Sequence, residues 1–73
     1  MTDKKLDGNP TFRSLYERLR RATIAEMNAM VRKEAAYYDY MVDELAAVIA
    51  RMVGRTAYYW RMKVVEEINR ERQ

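Results

Sequence analysis

The chain has 73 residues, a formal net charge of +3, no cysteine and no histidine. This length allows one domain with a thin hydrophobic core, since a small chain buries only a modest share of its surface on folding. The composition excludes disulfides, zinc sites of the usual kind and catalysis by cysteine or histidine. Stability must therefore come from helix packing or from association between chains, and we expect a homo-oligomer, a dimer or a larger assembly.

The remaining reactive groups argue against an enzyme. Ser14 is the only serine, and the chain has no glycine-rich phosphate loop. Asp39 and Asp43 stand four residues apart and could share a cation, but such a pair is much more often part of a solvated helix face. We expect no catalytic residue, no metal, no cofactor and no small-molecule substrate.

The sequence also lacks a membrane-spanning segment. The longest uncharged run in its apolar region covers residues 45–50, whereas a helix needs about 20 apolar residues to cross a bilayer. The N-terminal residues lack the apolar core of a secretory signal. These features predict a location in the cytoplasm or nucleoid, or inside a virion.

The first predicted element is a short helix over about residues 11–21. Residues 1–9 have little apolar content and predict a flexible tail. Asn9 and Pro10 then form a helix start, because asparagine is a good cap and proline suits the first helical position. An apolar stripe with helical spacing follows and consists of Phe12, Leu15, Tyr16 and Leu19.

The longest predicted element is a helix from Ile24 to Val53, a stretch without proline or glycine. Thr23 and Glu26 match a capping box, which predicts a break before this helix. Such strings are common, so a single continuous helix from the first segment onward remains an alternative. Gly54 supplies the stop signal, because glycine tolerates the positive φ angles that end helices.

A last helix is predicted over about 57–70, with Thr56 as its candidate cap. It carries two apolar patches, whereas the long helix has a heptad pattern three positions wide, broad enough for a core face. The residues predicted for the core or a dimer interface are Ile24, Met27, Val31, Tyr38, Val42, Leu45, Ile49, Met52 and Trp60. The expected fold is all-α, with a short, a long and a short helix in one domain over 10–73. We expect two chains to form an intertwined or antiparallel dimer.

The charge distribution gives a lead on function. The predicted long helix is mildly acidic, and the segments on either side of it are basic. This pattern fits an ordinary solvated surface or, alternatively, a polyanion-binding surface at the junctions between helices. The junction candidates for phosphate contacts are Arg18, Arg20, Arg21 and Arg55.

Three short strings of the sequence resemble histone-fold proteins, in particular the archaeal histones. Residues 10–15 resemble the opening of that family's first helix, residues 21–23 its first loop, and residues 50–56 its second loop. The second loop lacks the family's lysine, and the aspartate that pairs with the loop arginine is absent. The resemblance implies an obligate handshake dimer that binds and bends duplex DNA. The residues that it implies for this contact are Arg13, Arg21, Arg55 and Thr56.

Two classes of function therefore remain open. The first is a small, basic, dimeric protein that binds duplex nucleic acid non-specifically through its phosphates, as a chromatin-like or virion nucleoprotein component. The second is a structural or adaptor module that self-assembles into a bundle or filament without nucleic acid. A helix-turn-helix ranks behind both, because Arg55 stands where that motif needs an apolar residue.

Overall fold

The computed structural model describes residues 10–72, which form three α-helices and no strand. α1 spans Pro10–Met27, α2 spans Arg32–Val53 and α3 spans Ala57–Glu71. The prediction of an all-α chain with three helices is confirmed. The predicted tail over 1–9 lies outside the described residues.

The first break in the helical structure lies at residues 28–31, several residues later than predicted. α1 runs through Thr23, whose hydroxyl donates a hydrogen bond of 2.8 Å to the Leu19 carbonyl instead of capping a new helix. This bond satisfies the hydroxyl, so Thr23 is buried inside α1. The predicted helix start at Ile24 is therefore wrong. The lengths of α1 and α2 are 18 and 22 residues.

The turn between α1 and α2 has no strong local signal. Asn28 donates its backbone N–H to the Ile24 carbonyl as α1 ends. Val31 is the N-cap residue of α2, with an extended backbone and no side-chain hydrogen bond to the helix. Because neither glycine, proline nor a capping side chain marks this turn, we infer that packing of α1 against α2 sets its position.

The turn between α2 and α3 follows the sequence signals. Gly54 has a φ angle of 90° and Arg55 a φ angle of 73°, so both adopt the positive φ that reverses the chain after a helix. The Thr56 side chain accepts a hydrogen bond of 3.0 Å from the Tyr59 backbone N–H and so caps α3. The predicted stop at Gly54 and cap at Thr56 are confirmed.

The three helices share one core around Trp60. The ring centroid of Trp60 lies 5.7 Å from that of Phe12 and 6.3 Å from that of Tyr16. Its indole N–H donates a hydrogen bond of 3.0 Å to the Gly54 carbonyl, which ties the core to the α2–α3 turn. The buried apolar residues are Phe12, Leu19, Ala22, Val42, Ala46, Ile49, Trp60, Val64 and Ile68.

Several predicted core residues lie in this core. Val42, Ile49 and Trp60 are buried, as predicted. Ile24 and Leu45 are partly buried and pack against the buried residues. These five residues lie on faces that the helical period identified correctly.

Three other predicted core residues are exposed. Met27, Val31 and Met52 have exposed fractions of 40%, 55% and 41%, so they are not part of this core. The prediction assumed one continuous helix, and therefore one heptad pattern, across residues 28–31. The chain leaves the helical conformation there, so positions before and after the break no longer share a face, and Val31 lies outside both helices. Contact of these residues with a second chain remains a prediction.

We predict that Val31→Ser raises the free energy of unfolding by about 1 kcal/mol. Val31 is the uncapped N-cap residue of α2, and Glu34 already stands three residues later. A serine hydroxyl would therefore complete a capping box. Urea denaturation followed by circular dichroism measures the change.

The matched control is Met30→Ser, because Met30 lies in the same turn and is 91% exposed. This control should change the free energy of unfolding by less than about 0.5 kcal/mol. An equal gain from both substitutions, or no gain from Val31→Ser, would contradict the cap position.

Candidate functional site

An open groove of about 350 Å³ lies between α1 and α2. Ala22 and Ala25 stand three residues apart on α1, and their small side chains leave space between the two helices. Apolar side chains form most of the lining, and two arginines on α1 supply its charge. The residues of this α1–α2 groove are Arg18, Arg21, Ala22, Ala25, Tyr38, Met41 and Leu45.

The groove faces away from α3. Asp39 and Asp43 of α2 bind Arg61 of α3, so they mark the flank of α2 that α3 covers. Met41 stands two residues from each aspartate, which places it about 200° away around the helix axis. Tyr38, predicted as a core residue, is half-buried in this groove rather than fully buried.

α3 presents apolar side chains to the solvent as well as to the core. Trp60 and Val64 are buried, whereas Tyr58 and Met62 have exposed fractions of 72% and 39%. Val65 is half-buried and continues this outward face by one turn. We call Tyr58, Met62 and Val65 the α3 ridge. Of the two apolar patches predicted for the last helix, the one with Trp60 and Val64 is buried. The other is divided, because Tyr58 and Met62 are exposed whereas Ile68, predicted as a possible member of the same patch, is buried.

One carboxylate and one cation lie on each side of the α3 ridge. A shallow depression on one side contains Lys63 and Glu66, and a depression on the other side contains Asp43 and Arg61. The chain thus carries an apolar groove bordered by two arginines and, on α3, an apolar ridge whose neighbouring charges are balanced.

An ion-pair cluster around Arg61 connects all three helices. The Arg61 guanidinium donates hydrogen bonds of 2.7 Å to Asp43 and 2.9 Å to Asp39, and a Glu26 carboxylate oxygen of α1 lies 3.8 Å away. The aspartate pair that sequence analysis weighed as a cation site therefore binds a guanidinium. Both aspartate carboxylates therefore already have a partner in the fold.

The carboxylates in this cluster have divergent pKa values because they outnumber the single arginine. The hydrogen bond from Arg61 lowers the pKa of Asp39 below its usual value. Burial, and then the neighbouring Asp39 carboxylate, raises the pKa of Glu26. Ionised Glu26 is therefore disfavoured in the folded chain relative to the unfolded chain.

Tyr16 is a second perturbed group, and its role is structural. Its hydroxyl is buried without a hydrogen bond of good geometry, and its ring stacks on Phe12 with centroids 5.6 Å apart. Burial, and then the nearby Glu67 carboxylate, raises the pKa of Tyr16 well above its usual value. The group therefore stays neutral and belongs to the core.

Three of the six predicted nucleic-acid-binding residues are engaged within the chain. Arg20 forms an ion pair with Glu71, and Thr56 caps α3. Arg21 lies 3.3 Å from the Glu17 carboxylate, although this pair is exposed and therefore weak.

The other three predicted residues are exposed and form no ion pair within residues 10–72. They are Arg13, Arg18 and Arg55. The Arg55 guanidinium lies 4.8 Å from the centre of the Tyr59 ring. Arg13 and Arg55 lie at one end of the bundle, where the start of α1 packs against the α2–α3 turn, whereas Arg18 lies at the groove. The fold does not gather all six residues into one site.

The groove and the Arg61 cluster were not predicted from the sequence. The small residues Ala22 and Ala25 beside two arginines were a signal for the groove, but the misplaced helix break put Ala25 in another helix. The Arg61 cluster depends on how α3 packs over α2, which the spacing of residues within one helix does not specify.

The chain matches no protein-family model, no curated protein and no solved structure. None of the helices described here has the length and apolar character needed to cross a membrane. The groove, the ridge and the charged residues are therefore the basis for inferring function.

We predict that Glu26→Gln raises the free energy of unfolding at neutral pH by about 0.5 kcal/mol. Because the pKa of Glu26 is raised on folding, its ionised form destabilises the fold. This penalty disappears as the pH falls through the raised pKa, so the gain from the substitution should shrink on acidification. Ionised Asp39 has the opposite effect on stability, because its pKa is lowered on folding. Its stabilising contribution is present at neutral pH and is lost as the pH falls below the usual pKa of an aspartate and through the lowered one.

Urea denaturation at neutral and mildly acidic pH tests this prediction. Glu44→Gln is the matched control, since Glu44 is an exposed carboxylate without an ion pair in the described part of the chain. Destabilisation by Glu26→Gln at neutral pH would show instead that attraction to Arg61 outweighs burial and the repulsion from Asp39.

Proposed function

We propose that this chain is a structural or adaptor module that acts by helix-mediated assembly. The observation that carries the proposal is the apolar surface left outside the core. Monomeric proteins rarely expose large contiguous apolar patches, and such patches mark interaction sites. The large apolar residues exposed within 10–72 are Met27, Met30, Val31, Tyr37, Tyr40, Met52, Tyr58 and Met62.

The apolar residues on the outer side of α2 have the spacing of a helix-packing face. Tyr37, Met41, Val48 and Met52 recur at intervals of four, seven and four residues, as in a heptad pattern. Met41 also lines the α1–α2 groove, so the stripe and the groove adjoin. A second helix packed here would bury both.

The same surface and the small size of the chain support the proposal of self-association. A chain this short has a thin core, and association is a common means of stabilising such chains. Binding of further helices therefore supports both the stability of the fold and its proposed role as an assembly module.

The test is the mass of the assembly as a function of protein concentration. Light scattering should give a mass above that of a single chain, and Met41→Lys should raise the concentration at half-association at least tenfold. Tenfold corresponds to about 1.4 kcal/mol of association free energy. Circular dichroism confirms that the variant remains helical.

Tyr40→Lys is the control for this substitution, because Tyr40 is 65% exposed but lies off the stripe on α2. It should leave association within about twofold of the wild type. A wild-type chain that stays monomeric up to about millimolar concentration, or equal losses from both variants, would contradict the proposal.

A second candidate function is non-specific binding of duplex nucleic acid, which the pattern of ion pairs favours. Arginines on α1 and α3 hold many of the carboxylates described: Arg20, Arg21 and Arg61 pair with Glu17, Glu26, Asp39, Asp43, Glu67 and Glu71. Exposed Arg13, Arg18 and Arg55 have no such partner among residues 10–72. Their charges are available to phosphates, which require no base recognition.

This candidate corresponds to a nucleoprotein component of a nucleoid or virion. Arg13 lies in the first turn of α1, where the helix dipole adds positive potential, and Arg55 lies at the same end. Residues 21–23, which the archaeal-histone resemblance places in a loop, lie inside α1. The candidate therefore depends on the exposed arginines and makes no use of the resemblance.

Retention on duplex DNA at increasing salt tests this second candidate. Combined replacement of Arg13, Arg18 and Arg55 by alanine should weaken binding and reduce the salt slope by about 0.9 for each phosphate that the variant no longer neutralises. The control replaces Arg32, Lys33 and Arg70 by alanine, with the same change in net charge. Equal losses of affinity in the two triple variants would show that net charge attracts the DNA without a defined binding site. A wild-type chain that is not retained on DNA at low salt would exclude the function.

A further inference from the structure

We propose that the turn between α1 and α2 docks on the surface of an anionic lipid membrane. Its apolar side chains enter the boundary between the headgroups and the acyl chains, and the cations beside them bind lipid phosphates. We call Met27, Met30 and Val31, together with Arg32 and Lys33, the hairpin tip. This inference goes beyond the proposed assembly function, which depends on the groove and on the outer side of α2.

The hairpin tip exposes large apolar side chains. Met30 and Val31 have exposed fractions of 91% and 55%, and Met27 has one of 40%. Met30 is the most exposed of the large apolar residues described. Three such side chains within a stretch of five residues form a patch of the kind that marks an interaction site.

The fold gives no reason for apolar residues at this turn. Val31 is the N-cap residue of α2 and forms no side-chain hydrogen bond to the helix, although serine, threonine, asparagine or aspartate would stabilise that position. Met30 lies outside both helices and is almost fully solvated. Because local preferences are most often broken at functional sites, these two side chains indicate a contact outside the fold.

The hairpin tip projects beyond the end of α3. Trp60 of α3 packs against Phe12 near the start of α1, and Glu71, the last residue of α3, forms an ion pair with Arg20. α3 therefore runs alongside α1 in the same direction and ends near the level of Arg20. α1 continues for seven residues to Met27, a rise of about 10 Å. The tip can therefore reach a membrane surface before the rest of the bundle does.

The charges at the hairpin tip suit an anionic surface. Arg32 and Lys33 directly follow the apolar residues, are exposed and form no ion pair within residues 10–72. Glu34 comes next, but it stands about 200° around the helix axis from Arg32. The positive end of the α2 dipole lies at the same place. Long cationic side chains can stay level with the headgroups while their apolar neighbours enter more deeply.

The shape of the hairpin tip favours a membrane over a second chain. Neither the α1–α2 groove nor the depressions beside the α3 ridge contain a tip residue, so the tip is a projection without a concave site for a partner helix. A bilayer surface is deformable and has an anionic layer above an apolar one. The cations and the apolar side chains of the tip follow the same order.

A fluorophore at the hairpin tip tests the depth of insertion. The chain has no cysteine, so Met30→Cys provides a single site for a dye whose emission depends on polarity. The emission should rise and shift to the blue with vesicles of phosphatidylcholine and phosphatidylglycerol in equal amounts. Phosphatidylcholine alone should have little effect. The same dye on Tyr58→Cys, at a 72% exposed position in the first turn of α3, should not shift.

Substitutions at the hairpin tip test its two components by sedimentation with the same vesicles. Val31→Ser should weaken binding at least fivefold, because it removes an apolar side chain from the inserted part. This variant is expected to stabilise the fold, so unfolding cannot explain a loss of binding. Arg32→Ala combined with Lys33→Ala should weaken binding about tenfold or more.

The matched control combines Arg13→Ala with Arg55→Ala, which changes the net charge equally at the other end of the bundle. At physiological salt, where exposed charges are screened beyond about 8 Å, this control should bind the vesicles within about twofold of the wild type. Light scattering without vesicles should show that the tip variants associate as the wild type does.

The outcomes separate this inference from the proposed function. A wild-type chain that does not bind the anionic vesicles overturns the membrane contact and leaves the assembly proposal intact. A chain that stays monomeric but binds through the tip overturns only the assembly proposal. Equal losses from the two double variants would show attraction by net charge alone. Tip variants that weaken association between chains would identify the tip as a contact between copies. Either of these last two results overturns the membrane contact.

Discussion

The contacts of the Trp60 side chain determine how α3 lies on the other two helices. The indole N–H binds the Gly54 carbonyl, and the ring packs against Phe12 and Tyr16 of α1. One side chain therefore connects the α2–α3 turn to the start of α1. With Trp60 inward, Val64 and Ile68 follow it into the core because they share its face of α3.

The orientation of α3 also decides which surfaces remain free. Tyr58 and Met62 point away from the core because they are offset from Trp60 and Val64 by two residues. Arg61 is directed towards α2, where it binds the two aspartates. The opposite flank of the α1–α2 hairpin receives no cover from α3, and the groove is the result. The proposed assembly surfaces thus follow from the packing of one aromatic residue.

The local signals in the sequence predict the second half of the fold well. Gly54 and Thr56 have backbone and capping roles that depend on their own chemistry, and both perform the expected role. The buried positions Val42 and Ile49 follow from the helical period, which holds because α2 is continuous between them. Prediction succeeds here because the conformation of each of these residues is determined by neighbours only a few positions away in the sequence.

The first half of the fold depends on contacts between distant residues, and prediction failed there. Thr23 looks like a cap, but a hydrogen bond within α1 and burial against the other helices make it an internal residue. The real break is at Val31, which has no capping side chain. An error of a few residues at the break then placed Met27 and Val31 in the core. The groove was missed for the same reason, because it requires both sides of the hairpin in their correct register.

The uncapped start of α2 makes the two turns of the chain unequal in local stability. The amides in the first turn of α2 have no side-chain partner at the N-cap, and the apolar residues beside them are exposed. The other turn is tied by the Trp60 indole and by the Thr56 side chain. Segments with few buried contacts open at low free energy, whereas segments tied to the core open only with the whole fold. We therefore expect amide hydrogen exchange to be faster in the first turn of α2 than at the α2–α3 turn.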